Sequence, residues 1–93
     1  MKYYFSTIDI DYKYVALDNV SRIYTIPKNL KCFKFKQDNY VNKGKICIEL
    51  KCDSIKVESS SDLYNGHHNQ FYMILEDFNK YFISERKLKL KSL

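Results

Sequence analysis

The chain has 93 residues, of which 45% are hydrophobic and 29% charged, and its formal net charge is +5. This size and composition predict one globular domain and exclude wholesale disorder. No apolar run approaches the roughly 18–20 residues that span a bilayer, and the first residues lack the apolar core and cleavage site of a signal peptide. The expected location is therefore the cytoplasm, that of the host if the gene is phage-encoded.

The first third of the chain predicts three short strands. Residues 2–10 and 12–17 are rich in aromatic and β-branched side chains, and Asp11 supplies a turn residue between them. The third segment, residues 20–26, ends at Pro27, whose missing N–H group favours a strand end.

The middle of the chain predicts further strands. Residues 31–36 alternate phenylalanine with lysine, and residues 45–52 alternate apolar with polar side chains. After Asp53 the apolar positions shift by one residue to Ile55 and Val57, which requires a turn or a bulge. We interpret this shift as a hairpin.

The C-terminal part predicts a helix. Its apolar residues recur at i, i+3, i+4, i+7 and i+11, namely Phe71, Ile74, Leu75, Phe78 and Phe82. Asn69 is a plausible N-cap, so the helix is expected over about residues 69–84.

The fold class is then α+β, an antiparallel β-meander of five or six strands with one C-terminal amphipathic helix packed on one face. Residues 1–84 form the single domain, and residues 85–93 form a basic tail that could extend the helix, add an edge strand or stay loose.

Both histidines, His67 and His68, fall in the polar segment of residues 59–70. Adjacent residues in an extended chain diverge, so the two imidazoles cannot easily serve one reacting atom. No second catalytic motif accompanies them. We interpret the segment as a mobile connector and predict no catalytic residue.

The chain has three cysteines, Cys32, Cys47 and Cys52. Their odd number and apolar surroundings indicate reduced, buried thiols and not a disulfide framework. Cys47 and Cys52 are five residues apart and would point to opposite faces of a continuous strand, which disfavours a zinc site. No metal and no cofactor are expected.

Positive charge is distributed unevenly along the chain. Residues 28–56 carry eight lysines against three acids, and residues 80–93 carry five basic residues against one acid. If the middle strands pair with their apolar faces inward, four lysines share the solvent face as a cationic ridge able to bind phosphate or an acidic protein surface. Including exposed tyrosine and the tail, the predicted partner-binding residues are Lys34, Lys36, Lys45, Lys51, Tyr40, Arg86, Lys87, Lys89 and Lys91. The alternative is that these lysines merely solvate the outer face of an amphipathic hairpin.

The amino-acid composition offers a reason why lysines could be abundant without binding a partner. Lys, Asn, Ile and Tyr fill 39 of the 93 positions, and lysine outnumbers arginine fourteen to two. These residues share AT-rich codons, so the gene is expected to come from an AT-rich bacterium or one of its phages. Mutational bias could raise lysine content without any role in binding.

The sequence therefore predicts a small non-catalytic binding protein, encoded by a phage or mobile element. It would act by occupancy, as an inhibitor or regulator of a host protein or ribonucleoprotein complex that handles nucleic acid. An anti-CRISPR-type inhibitor that engages the effector protein or its guide RNA is one example. The alternative is a regulator that binds RNA or single-stranded nucleic acid directly through its lysine and tyrosine surface. A small ribonuclease is a third hypothesis, and no membrane partner is expected.

Overall fold

The computed structural model describes residues 2–36 and 40–91, which form a curled antiparallel sheet and two short α-helices. The strands within these residues are β1 (Tyr4–Ser6), β2 (Ile10–Val15), β3 (Ser21–Ile26), β4 (Lys31–Lys34), β5 (Tyr40–Asn42), β6 (Lys45–Ser59), β7 (Gly66–Ile74) and β8 (Phe82–Ser84). The helices are α1 (Leu75–Tyr81) and α2 (Glu85–Lys91), and a 3₁₀ turn covers Asp62–Tyr64. The α+β class and a C-terminal helix are confirmed, whereas the described residues contain eight strands where five or six were predicted.

The long strand β6 organises the sheet. β7 pairs along one edge of it, from Cys47 opposite Ile74 to Val57 opposite Gly66. β5, β4 and β3 pair in turn with the other edge. The strand order is β2-β3-β6-β4-β1-β8, with β5 and β7 also on β6, so the predicted meander is wrong. The last strand, β8, pairs with the first, β1.

The parity shift in β6 is a bulge and not the predicted hairpin. The strand continues without a turn through Asp53, and the register against β7 is irregular between Lys51 and Ile55. A bulge bends its strand, which lets one continuous segment pair with different neighbours on either side of the irregularity. Ile55 and Val57 are buried beyond it.

The helix predicted over about residues 69–84 begins later in the structure than the sequence pattern indicated. Residues 66–74 form β7, and α1 starts only at Leu75, where no side chain caps its first turn. Phe71 and Met73 alternate into the core, because pairing with β6 satisfies the backbone of this segment. The histidine segment is therefore partly strand, and Asn69 is not an N-cap.

The predicted basic tail forms α2 as far as Lys91, and residues 92 and 93 of it lie outside the described residues.

The core is one cluster that joins both halves of the sheet to α1. Phe78 of α1 stacks on Phe82 with their ring centroids 5.0 Å apart, and both side chains are buried. Tyr12 of β2 fastens the start of the helix, since its hydroxyl donates to Asp77 Oδ2 at 2.6 Å and accepts from the Ile74 N–H at 3.2 Å. Burial and the Asp77 hydrogen bond raise the pKa of Tyr12 above its ordinary value.

Candidate partner-binding cleft

The predicted lysine ridge is divided between the two faces of the sheet. Lys34 pairs with Leu50, and Phe33 pairs with Lys51. Directly paired residues point to the same face, so Lys34 and Lys51 point to opposite faces. The reason is that Cys32, only 1% exposed, is the core-facing residue of β4, while Phe35 is 42% exposed. The assumption that the phenylalanines of this strand face inward was wrong.

The other predicted residues of the middle strands do not converge on one point. Lys36 Nζ lies 3.9 Å from Glu49 Oε2, and Lys51 Nζ lies 3.9 Å from the Phe35 ring centroid. Lys45 is exposed on the same face of β6, but six residues from Lys51, which is roughly 20 Å along a strand. Tyr40 is half-buried.

A different set of lysines converges around α2. The helix is set by its first turn, where the Lys87 N–H donates to Ser84 Oγ at 3.2 Å in the manner of an N-cap. The Glu85 N–H donates to the Tyr3 carbonyl at 2.9 Å, which ties the start of α2 to the residue just before β1. Glu85 also pairs with Lys89 one turn later, at 3.6 Å. The helix is thereby held beside β1 and β8.

A cleft of about 760 Å³ opens between α2, β8, β1 and α1. Four exposed lysines line it: Lys2, Lys80, Lys87 and Lys91. No aspartate or glutamate is among its lining residues. We call this site the basic cleft. Of the predicted tail residues it includes Lys87 and Lys91, whereas Arg86 is exposed outside it and Lys89 is the partner of Glu85.

The floor of the basic cleft is aromatic. Tyr4 packs edge-on against Phe78 at 5.0 Å between ring centroids, and Phe82 continues the row. Lys2 Nζ and Lys34 Nζ each lie 5.6 Å from the Tyr4 ring centroid, so Lys34 reaches the same aromatic floor from β4. These cations over ring faces are cation–π contacts. The arrangement presents positive charge above a partly exposed tyrosine ring.

Lys2 and Lys80 were not among the partner-binding residues predicted from the sequence. Lys80 falls within the helix predicted over about residues 69–84, outside its apolar stripe, and Lys2 falls within the first predicted strand. The two lysines come together because β1 pairs with β8. The periodicity of either segment alone does not predict that pairing. Their charge alone would have flagged both as candidates.

The histidines lie away from the basic cleft. His67 and His68 are neighbours in β7, so their side chains point to opposite faces of the sheet. His67 is exposed, and His68 Nε2 lies 2.8 Å from the Tyr64 carbonyl oxygen. The two rings are not brought together.

The cysteines are free thiols, and Cys32 lies directly opposite Cys52 in the β4–β6 pair. Burial raises the pKa of Cys32 to about 12 and that of Cys52 to about 11. Among residues 2–36 and 40–91, no group of three or more His, Cys, Asp or Glu side chains is placed to hold a metal ion.

These thiol pKa values predict a fall in stability at alkaline pH. In the unfolded chain each thiol ionises near pH 9.0, whereas the folded protein keeps both protons to about pH 11 or 12. The stabilisation is complete below about pH 9 and is lost as the pH rises toward the folded values. Urea unfolding midpoints should therefore fall between about pH 8 and about pH 10.5. Changing both Cys32→Ala and Cys52→Ala should make that fall smaller, and an equal fall in the variant would contradict the prediction.

Within the described part of the chain, no helix has the length and apolar character needed to cross a membrane. Comparison of the chain with protein-family models, with curated proteins and with solved structures found no match in any of the three.

Proposed function

We propose that the protein is a small non-catalytic binding protein that acts by occupancy on a host nucleic-acid-handling complex, whose RNA it binds in the basic cleft. Inhibition or regulation follows because the bound RNA is no longer accessible. A phage- or mobile-element-encoded inhibitor that covers the guide RNA of a CRISPR effector is an example. The observation that carries the proposal is the convergence of four lysines, with no carboxylate, above an aromatic floor.

The lining residues favour phosphate as the recognised group. A lysine ammonium is a compact point charge that tolerates many phosphate geometries, whereas fixed bidentate recognition calls for arginine. Phosphate contacts position a strand without specifying its sequence. Lys2, Lys80, Lys87 and Lys91 can therefore follow a backbone with little sequence discrimination.

The aromatic floor favours a single strand over an acidic protein surface. Tyr4 is half-buried, so part of its ring faces the cleft, where an unpaired base can stack on it. An acidic helix or loop would use the lysines but has no flat group to match the ring. Duplex RNA keeps its bases stacked internally and would gain only from the lysines.

The salt dependence of RNA binding tests this proposal. Fluorescence anisotropy of a labelled single-stranded RNA should show binding that weakens with salt, with a log–log slope of roughly −2 to −3 for three or four phosphate contacts. An unstructured polyglutamate peptide of equal length is the matched polyanion without bases and should bind more weakly. Equal binding of the peptide, or no RNA binding at low salt, would overturn the proposal.

A capture experiment tests the occupancy mechanism separately. Tagged protein recovered from host lysate should bring down a ribonucleoprotein, and nuclease treatment should release its protein components. Retention of those components after nuclease would mean that the contact is with protein, and the RNA assignment would then be wrong.

A further inference from the structure

Arg22 lies on a different surface, in β3, opposite Tyr14 of β2. Its guanidinium carbon is 4.5 Å from the Tyr64 ring centroid and 6.0 Å from that of Tyr72. The guanidinium makes no ion pair and no hydrogen bond to any residue that the structure describes. Two aromatic rings thus hold a planar cation in a half-buried position with its five N–H donors available.

Two cavities adjoin this guanidinium, and Arg22 and Tyr72 line both. The first, of about 330 Å³, is also lined by Tyr14, Leu17, Asp18 and Tyr40, and we call it the tyrosine cavity. The second, of about 360 Å³, lies on the side of Tyr64, His68 and Gln70. Both volumes are at the lower end of the roughly 300–1,000 Å³ that small-molecule sites occupy.

The walls of the tyrosine cavity are held in place by their own contacts. The hydroxyls of Tyr14 and Tyr40 are 2.9 Å apart, and Asn42 Nδ2 donates to the Tyr14 hydroxyl at 2.8 Å. Tyr72 stacks on Tyr14 with ring centroids 5.8 Å apart and an interplanar angle of 23°. Tyr14 is only 4% exposed and supports the wall from behind, so the half-buried Tyr40 and Tyr72 present its accessible ring surface. This wall is preformed, which lowers the entropy cost of binding a flat ligand.

The charges around the cavity give a bound ligand one orientation. Asp18 is an exposed acid at the rim of the tyrosine cavity, and its carboxylate disfavours an anionic group inside. Arg22 beside the cavity attracts such a group. A ligand with an aromatic ring and an anion would place the ring among the tyrosines and the anion on the guanidinium, while an amino group on the ring edge could donate to Asp18.

The choice of arginine at this position supports a specific role for its shape. The chain has fourteen lysines and only two arginines, so its composition favours lysine wherever charge alone is sufficient. Arginine differs from lysine in being flat, in stacking on aromatic rings and in presenting a fork of donors that matches a phosphate. Arg22 has its guanidinium near the Tyr64 and Tyr72 rings, and its side chain lines both cavities.

We propose that Arg22 and the tyrosine cavity form a binding site for a single nucleotide, with the base in the cavity and the phosphate on the guanidinium. The nucleotide could be free or could be the 5′-phosphorylated end of a strand, since both present the same ring and phosphate. The site shares no lining residue with the basic cleft and does not depend on the function proposed for it.

Titration of the isotope-labelled protein with GMP, followed by NMR, tests this site. GMP should shift the backbone signals of Ala16, Leu17 and Tyr72, whereas guanosine and ribose 5-phosphate should each bind at least tenfold more weakly. Arg22→Gln should lower GMP affinity at least tenfold, and Arg22→Lys should restore only part of it, because the charge returns without the fork. Leu17→Asp is a second variant, which should also weaken binding, and because Leu17 is 68% exposed its replacement should leave the fold intact.

The outcomes separate the two sources of nucleotide and the two sites. Tighter binding of a 5′-phosphorylated oligonucleotide than of GMP supports a strand end, and binding of GMP alone supports a free nucleotide. GMP binding that is unchanged in Arg22→Gln, or shifts confined to Lys87 and its neighbours, would overturn this proposal while leaving the basic cleft as a phosphate site. Phosphotyrosine that binds as tightly as GMP would overturn the nucleotide assignment.

Discussion

Replacing Lys2, Lys80, Lys87 and Lys91 together with glutamine is expected to weaken binding of single-stranded RNA by roughly 100-fold or more at low salt. Each lysine that contacts a phosphate releases counterions from the strand, so its loss should also reduce the salt slope by about 0.7. All four side chains are exposed, and glutamine keeps most of their length, so the fold should be retained. Anisotropy titrations at several salt concentrations measure both quantities.

A matched variant separates the basic cleft from general positive charge. A control variant replaces four other lysines with glutamine: Lys36, Lys45, Lys51 and Lys56. It removes an equal number of positive charges, so either variant lowers the formal net charge from +5 to +1. Three of these four belong to the ridge predicted from the sequence. This control should lose less than about tenfold in affinity. If it loses as much as the first variant, attraction is spread over the whole surface and the basic cleft is not the site.

Met73→Ala is expected to lower the free energy of unfolding by about 2–5 kcal/mol. Met73 is 0% exposed in β7 and faces Ile48 of β6 across the strand pair, so its removal leaves a cavity in the core. A small domain has only about 5–15 kcal/mol of stability, so the loss would be a large part of the whole. Urea unfolding followed by circular dichroism gives the value.

Ile74→Ala is the matched control for that substitution. Ile74 is half-buried, so the same kind of truncation should cost clearly less. In an amphipathic helix over residues 69–84 the order would be reversed, because Ile74 belongs to the apolar stripe and Met73 does not. A larger loss for Ile74→Ala would therefore contradict the strand assignment of this segment.

The sequence predicts the elements whose periodicity is unambiguous and local. The segments predicted over residues 12–17 and 20–26 overlap the observed β2 and β3, which alternate buried tyrosines with exposed residues. The segment from Phe71 to Phe78 is different, because its apolar residues satisfy a helical stripe and also a strand alternation through Met73. Pairing with β6 favours the strand over the helix. The partner residues in β6 lie more than twenty positions earlier in the chain, so the local pattern does not include them.

The candidate sites are less predictable than the fold for a related reason. Lys87 and Lys91 were selected from the charge of the tail, but the lysines that complete the basic cleft come from the segment just before β1 and from α1. Arg22 was not selected at all, since nothing local distinguishes it. Its role depends on Tyr72 and Tyr64, which β7 and the 3₁₀ turn bring beside it.

The pairing of β1 with β8 has a consequence for synthesis on the ribosome. β1 leaves the exit tunnel before its partner β8 and before α2, which are translated about 80 residues later, so one edge of β1 waits unpaired until they emerge. Closing so long a loop is entropically slow compared with forming the local β2–β3 hairpin. The basic cleft is lined by residues of β8 and α2, so it forms only after residues 82–91 have emerged, and any ligand of the cleft must bind after that point.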